Sequence, residues 1–172
     1  MFASKRLALL LAPCLLLVFL STRAALTWDL AVICLALLDA FLAPKPLELR
    51  VERENGPTVR LGQPSSSRIT ITNTAKRAMR GSLHDAWVPS AGASDNFYQF
   101  NLSPGERRRF TTPLQPKRRG KRRADYATVR SLGPLGLAGR QRSLVAPAHV
   151  QVLPPFNSRK HLPSRLNLLR EM

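Results

Sequence analysis

The chain has 172 residues, 44% of them hydrophobic, and a formal net charge of +17, with 24 of its 27 Lys and Arg and eight of its ten carboxylates placed after Ala43. The first quarter is apolar, and the roughly 130 residues that follow suit one domain with a modest core rather than two. This second part carries +16 of the charge, so its natural partners are anionic: phospholipid headgroups, nucleic acid or an acidic protein face. Cys14 and Cys34 both lie inside apolar runs, which excludes a disulfide framework or a zinc site read from cysteine spacing.

Two apolar runs, 7–20 and 30–43, open the chain. Fourteen helical residues cover only about 21 Å, short of a hydrocarbon layer of roughly 30 Å, so each run must borrow its flanks. The first extends from Ala3 through Thr22, with Lys5 and Arg6 snorkelling to the near surface. The second starts near Ala25, where Trp28 suits the interface, and ends at Pro44. A secretory signal fits the first run as well, but Arg23 sits where a cleavage region is small and uncharged, and the second run follows at once. The pattern predicts a transmembrane helical hairpin over 1–43. Because the 21–27 linker holds one Arg while Lys5, Arg6, Lys45, Arg50 and Arg53 flank the hairpin, the positive-inside rule places both ends in the cytoplasm. Asp39 would cost about 2.5 to 3.5 kcal/mol at the bilayer centre. It therefore reads as an interfacial residue one turn before Pro44, with a polar contact to the first helix or an ion path as the functional alternative.

From Leu47 the chain alternates apolar and polar as a half-buried strand, and 68–73 repeats the pattern with Ile69 and Ile71 inward. A weaker strand covers 79–88, an aromatic one 97–102, and short ones 110–114, 126–129 and 149–153, separated by Gly and Pro turns. This predicts a mainly β fold, an antiparallel immunoglobulin-like sandwich over 44–155. Ser82, His84 and Asp85 are close in sequence, but neighbours on a strand face opposite ways and cannot converge as nucleophile, base and orienting acid. His149 and His161 have no second ligand at metal spacing, so no cofactor, metal or catalytic residue is assigned.

Nine of the seventeen residues from 107 to 123 are basic. Aromatics are not interleaved with them as base stacking would need, so nucleic acid is disfavoured. Anionic lipid, worth about 1 kcal/mol for each basic residue near a membrane surface, or a simple solvated face is the leading reading, with a protein partner after it. Arg118, Arg119, Arg122 and Arg123 are the expected contacts. Residues 133–137, Gly-Pro-Leu-Gly-Leu, read as a tight turn whose Leu135 and Leu137 plug one end of the sandwich. In the tail, 156–172, Leu162, Leu166 and Leu169 beside Arg165 and Arg170 predict a short basic amphipathic helix.

The order RRG (118–120), TVRS (128–131), GPLGLAGR (133–140), VLPPF (152–156) and SRKHLPSRL (158–166) resembles the N-terminal half of the domain-of-unknown-function 58 (DUF 58) family of bacterial membrane proteins. LLDAFLAP (37–44), LHDAWVPSAGA (83–93) and LSPGERR (102–108) look like the same family, so the resemblance runs through nearly the whole chain. It implies two membrane helices and a β-sandwich, followed in the family by a domain similar to a von Willebrand factor A fold and often linked with MoxR-type AAA+ ATPases. The chain reaches Met172 where that later domain is expected, as a truncated member would, so no activity or metal of that domain carries over.

These readings combine into a multi-pass, membrane-anchored, non-enzymatic interaction or scaffold protein whose partners are the bilayer, anionic headgroups and a membrane-associated protein complex. The alternative is a basic nucleic-acid-binding protein whose apolar N-terminus is a targeting segment.

Overall fold

Alternating burial along the strands builds two sheets in the computed structural model, which describes residues 2–14, 18 and 21–155. The smaller sheet has the order β2 (Leu49–Arg53), β4 (Ser65–Asn73), β7 (Arg107–Leu114), all antiparallel. The larger runs β1 (Phe2–Ala3), β9 (Ala138–Leu153), β8 (Gly120–Leu132), β5 (Met79–Asp85), β6 (Phe97–Leu102), with β3 (Val59–Arg60) pairing parallel to β9. Ile69 and Ile71 of the small sheet meet Met79, Leu83, Phe100, Leu102 and Val129 of the large one in a core that excludes water. Trp87, Leu114, Val150 and Val152 form a second cluster towards the other end. The protein is mainly β and antiparallel, as the alternation predicts.

The strands at 126–129 and 149–153 prove to be parts of a much longer hairpin, β8 and β9, joined by the turn at 133–137. Their alternation is obscured because outward positions carry Lys121, Arg123 and Arg130. A bulge between Ala124 and Tyr126 also shifts the register. Over the 13 residues of β8, at about 3.3 Å per residue, the hairpin separates its two ends by roughly 40 Å.

Among its described residues the N-terminal part shows one long apolar helix and a short one before it. Two short strand residues, Phe2 and Ala3, pair with Gly139 and Ala138, so the first apolar run begins as a sheet edge. The helix α1 (Lys5–Leu11) that follows has seven residues, about 10 Å of rise. By contrast α2 (Thr22–Leu42) has 21 residues, about 31 Å, and among the described residues it is the helix long and apolar enough to cross a membrane. Leu26, Leu30, Leu37 and Phe41 are exposed along it, an apolar surface that calls for an apolar solvent. The two helices touch: Leu7 packs near Ala36 and Ala40, and Trp28 Nε1 donates to Leu10 O at 2.9 Å. The predicted tail helix over 156–172 lies outside the described residues.

The turn at 133–137 corrects one expectation. Leu137 is 5% exposed and belongs to the interior, whereas Leu135 is 50% exposed and plugs nothing. Gly136 between them, at a positive φ of 71°, redirects the chain, and one leucine of the two is buried. Leu137→Ala should therefore cost about 2 to 5 kcal/mol through lost burial and the cavity left behind. Leu135→Ala should melt within a degree or two of the parent, and calorimetry showing equal losses would refute this assignment.

Candidate functional site

The turn at 133–137 and the end of α2 form one polar junction. Asp39, one turn from the end of α2, is fully buried. Its Oδ1 accepts the backbone N–H of Leu135 at 2.7 Å, and its Oδ2 those of Leu137 and Ala138 at 2.7 and 3.0 Å. The turn can present these donors together because Gly136 takes a positive φ of 71°, which side-chain-bearing residues rarely adopt. A methyl group on Gly133 would collide with the Asp39 carbonyl and carboxylate oxygens, so that position also requires glycine.

Other groups complete the junction. Helix ends leave carbonyls without intrahelical partners. Arg140 supplies them, its Nε donating to Ala40 O at 3.2 Å and an Nη to Phe41 O at 3.0 Å. A cation at a helix C-terminus is also favoured by the helix dipole. Ser131 Oγ donates to Pro44 O at 2.6 Å, fixing the chain as it leaves the helix. From the N-terminal side, Ser4 Oγ donates to Gly136 O at 2.6 Å and Ser4 N to Leu137 O at 2.8 Å. The arrangement holds a helix against a sandwich by hydrogen bonds, and it presents no nucleophile or proton-transfer pair.

Asp39 therefore is neither a free interfacial carboxylate nor a contact of the first helix: its partners are backbone amides almost a hundred residues later. The glycine-rich turn was visible in the sequence, and so was Asp39, a carboxylate near the end of an apolar helix. That the two belong together has no local signature. Arg140 also went unread, because one arginine in a basic chain does not stand out.

The predicted contact residues sit elsewhere. Arg118, Arg119 and Arg123 are exposed. Arg122 is half-buried and donates to Ser90 Oγ at 3.0 Å and to Arg119 O at 2.8 Å. Arg118 and Arg119 precede β8, and Arg122 and Arg123 lie in its first four residues, at the end opposite the α2 junction. Of the other arginines in the basic segment, Arg107 pairs with Glu52 at 3.6 Å and Arg108 with Glu106 at 2.9 Å. The N–H of Ser103 and then the Arg108 guanidinium hold the Glu106 carboxyl below its ordinary value.

Ser82, His84 and Asp85 do not converge. His84 stacks on Phe97, 4.0 Å between centroids, while Asp85 turns into the core. There it meets Arg53 in an ion pair whose two side chains are fully buried, a feature that sequence reading missed. Trp87 Nε1 and Thr112 Oγ1 donate to the other Asp85 oxygen at 3.0 and 2.6 Å. Arg53 also donates to the carbonyls of Ala124 and Tyr126, which flank the bulge in β8, and to Ala146. Beside this network, burial pushes the Tyr98 hydroxyl above its ordinary value, with its hydrogen bond to Thr112 opposing. Among the described residues no three His, Cys, Asp or Glu side chains group as metal ligands do.

These features define a class: an antiparallel β-sandwich joined at one end to a helix long and apolar enough to cross a membrane. No protein-family model matches the chain, and no curated protein matches it. Among solved structures it is similar to the ASH/PapD-like domain 7 of human CEP192, at 14% identity over 66% of this chain and 92% of that one, TM-score 0.42. It is also similar to the CARDB domain of the PF1109 protein from Pyrococcus furiosus, at 17% identity over 66% and 91%, TM-score 0.40. A protein of unknown function from Porphyromonas gingivalis gives 16% identity over 63% of this chain and 49% of that one, TM-score 0.46. At these scores the likenesses carry no argument of their own, and the sandwich rests on its strand pairing.

Proposed function

We propose that the chain is a membrane-anchored, non-enzymatic interaction or scaffold protein, in which a helical hairpin holds an immunoglobulin-like sandwich at the cytoplasmic face of a bilayer. The observation that carries this reading is the Asp39 junction, because a carboxylate bound by three backbone amides fixes the sandwich to the end of the apolar helix. A loose tether would need none of it. The strand order, β2-β4-β7 against β6-β5-β8-β9 with β3 on the outer edge, supports the immunoglobulin-like type. Pairing of Phe2 and Ala3 with β9 supports an N-terminus on the same side as the sandwich, in line with the positive-inside argument. The resemblance to the DUF 58 family supports the same plan and directs the search for a partner to MoxR-type AAA+ ATPase systems.

The position of Arg118, Arg119, Arg122 and Arg123, roughly 30 to 45 Å along the strand direction from the junction, favours an acidic protein face over the headgroups of the membrane that α2 enters. At that distance surface charges are screened beyond a Debye length of about 8 Å.

Fractionation and labelling test the reading. The chain should stay in the membrane pellet through a high-salt wash, whereas a basic nucleic-acid-binding protein with a targeting segment would leave a soluble pool. With Cys14 and Cys34 replaced, an impermeant thiol reagent applied to intact cells should modify a cysteine at Thr22 but not one at Ser66. The reverse pattern would overturn the orientation.

A further inference from the structure

Two grooves meet at Phe2, where the helices join the sandwich. The upper one, about 660 Å³, lies on the outer face of the large sheet and is lined by Arg6, Arg80, Arg130, Ser82, Gln99 and Asn101 among others. The lower one, about 310 Å³, runs between α1 and α2 and is lined by Leu7, Leu11, Ile33, Ala36 and Leu37, with Phe2 common to both. Volumes of this size suit small-molecule ligands.

The upper groove is built by strand register. Arg80 stands opposite Asn101, and Ser82 stands opposite both Gln99 and Arg130, so two guanidinium groups and three neutral polar side chains share one patch. Both arginines are partly tied: an Nη of Arg80 donates to Pro134 O at 2.9 Å, and Nε of Arg130 donates to Gln141 Oε1 at 2.7 Å. Phe2 lies 5.5 Å below the Arg130 guanidinium carbon. Each guanidinium has five N–H donors, so these contacts aim it without exhausting it. Arg6 enters from α1. Among the described residues no carboxylate lies within ion-pair distance of Arg6, Arg80 or Arg130. Three uncompensated cations around a polar groove call for an anion, and the apolar cleft below calls for a hydrocarbon chain.

We propose that this composite site binds one anionic phospholipid, its phosphate held by Arg80, Arg130 and Arg6 and an acyl chain laid in the cleft between α1 and α2. The inference rests on the membrane-anchored reading and adds to it a specific lipid at a position that Arg118, Arg119, Arg122 and Arg123 do not line; of the 107–123 segment only Arg108, already paired with Glu106, borders the groove. Basic pockets beside membrane helices recognise anionic headgroups on the same electrostatic grounds.

The test is native mass spectrometry of the full chain released from mixed phosphatidylglycerol and phosphatidylcholine nanodiscs. The parent should retain phosphatidylglycerol in preference to phosphatidylcholine. Arg80→Glu combined with Arg130→Glu should lose it by about tenfold or more. Arg118→Glu combined with Arg119→Glu, an equal charge change at the far end, should leave retention unchanged. Equal retention by the Arg80/Arg130 variant, equal retention of the two lipids, or an equal loss in the Arg118/Arg119 variant would each overturn the proposal. So would full displacement by sn-glycerol 3-phosphate, which would mark a soluble anion as the occupant. Arg80→Gln with Arg130→Gln serves if the charge reversal unfolds the chain. A protein that leaves the membrane in high salt defeats the anchoring reading before any lipid is measured, so the two failures are distinct.

Discussion

Asp39→Ala should be among the most damaging single substitutions in the chain. It leaves the N–H groups of Leu135, Leu137 and Ala138 without acceptors in a buried site. Each such donor costs about 1 to 3 kcal/mol, so three amount to about 3 kcal/mol or more against a total stability of about 5 to 15 kcal/mol. For a chain of this length that corresponds to a melting temperature lowered by about 6 to 12 °C. Asp39→Asn should recover only part of the loss, because its amide nitrogen offers a donor where the turn already presents donors. Hydrogen exchange adds a local readout: the three turn amides should exchange faster in both variants while those in the middle of β8 stay protected. A parent-like melt for Asp39→Ala would show that the junction contributes nothing.

The second large effect belongs to the pair inside the sandwich. Asp85→Ala strands the Arg53 guanidinium in the core, and Arg53→Met strands the Asp85 carboxylate together with the carbonyls of Ala124, Tyr126 and Ala146. Breaking a buried ion pair from one side typically costs about 3 to 5 kcal/mol. The combined Arg53→Met, Asp85→Leu variant should lose less than the sum of the singles, since it removes both charges, yet the three carbonyls keep it below the parent. Denaturant titrations of all four proteins give the coupling directly. Additive losses would mean that the two charges do not act as a pair.

Sequence reading reached the fold where burial follows a period of two. Ile69 and Ile71 in β4 point inward as expected, and β6 alternates as expected, with Phe100 and Leu102 on its inward face. It fell short in β8 and β9, where arginines and lysines on the outer face and a bulge at residues 124–126 interrupt the alternation over 29 strand residues. The first apolar run was overextended, because composition alone does not register that Phe2 and Ala3 can satisfy their backbone groups on a sheet edge. The candidate site was less legible still. Asp39, Gly133 and Gly136 were each conspicuous, but the bonds between them are carboxylate to backbone, and any residue type can supply a backbone amide. The Arg53–Asp85 pair was hidden for a related reason: both sit on strands among other charged residues, and nothing local marks which charges turn inward.

The span between Asp39 and its partners sets an order of events during synthesis. Leu135 lies 96 residues after Asp39, and at elongation rates of about 5 to 20 residues per second the amides that bind the carboxylate are made roughly 5 to 20 seconds after it. Throughout that interval α2 has its carboxylate and no clasp. On the membrane-anchored reading proposed above, water at the bilayer edge would serve as the provisional partner and would hold Asp39 at the surface rather than deeper. The sandwich can seat on that end only after β8 and the turn have been made. On that same reading insertion would precede docking, and the depth of the helix would be set before the domain that locks it exists.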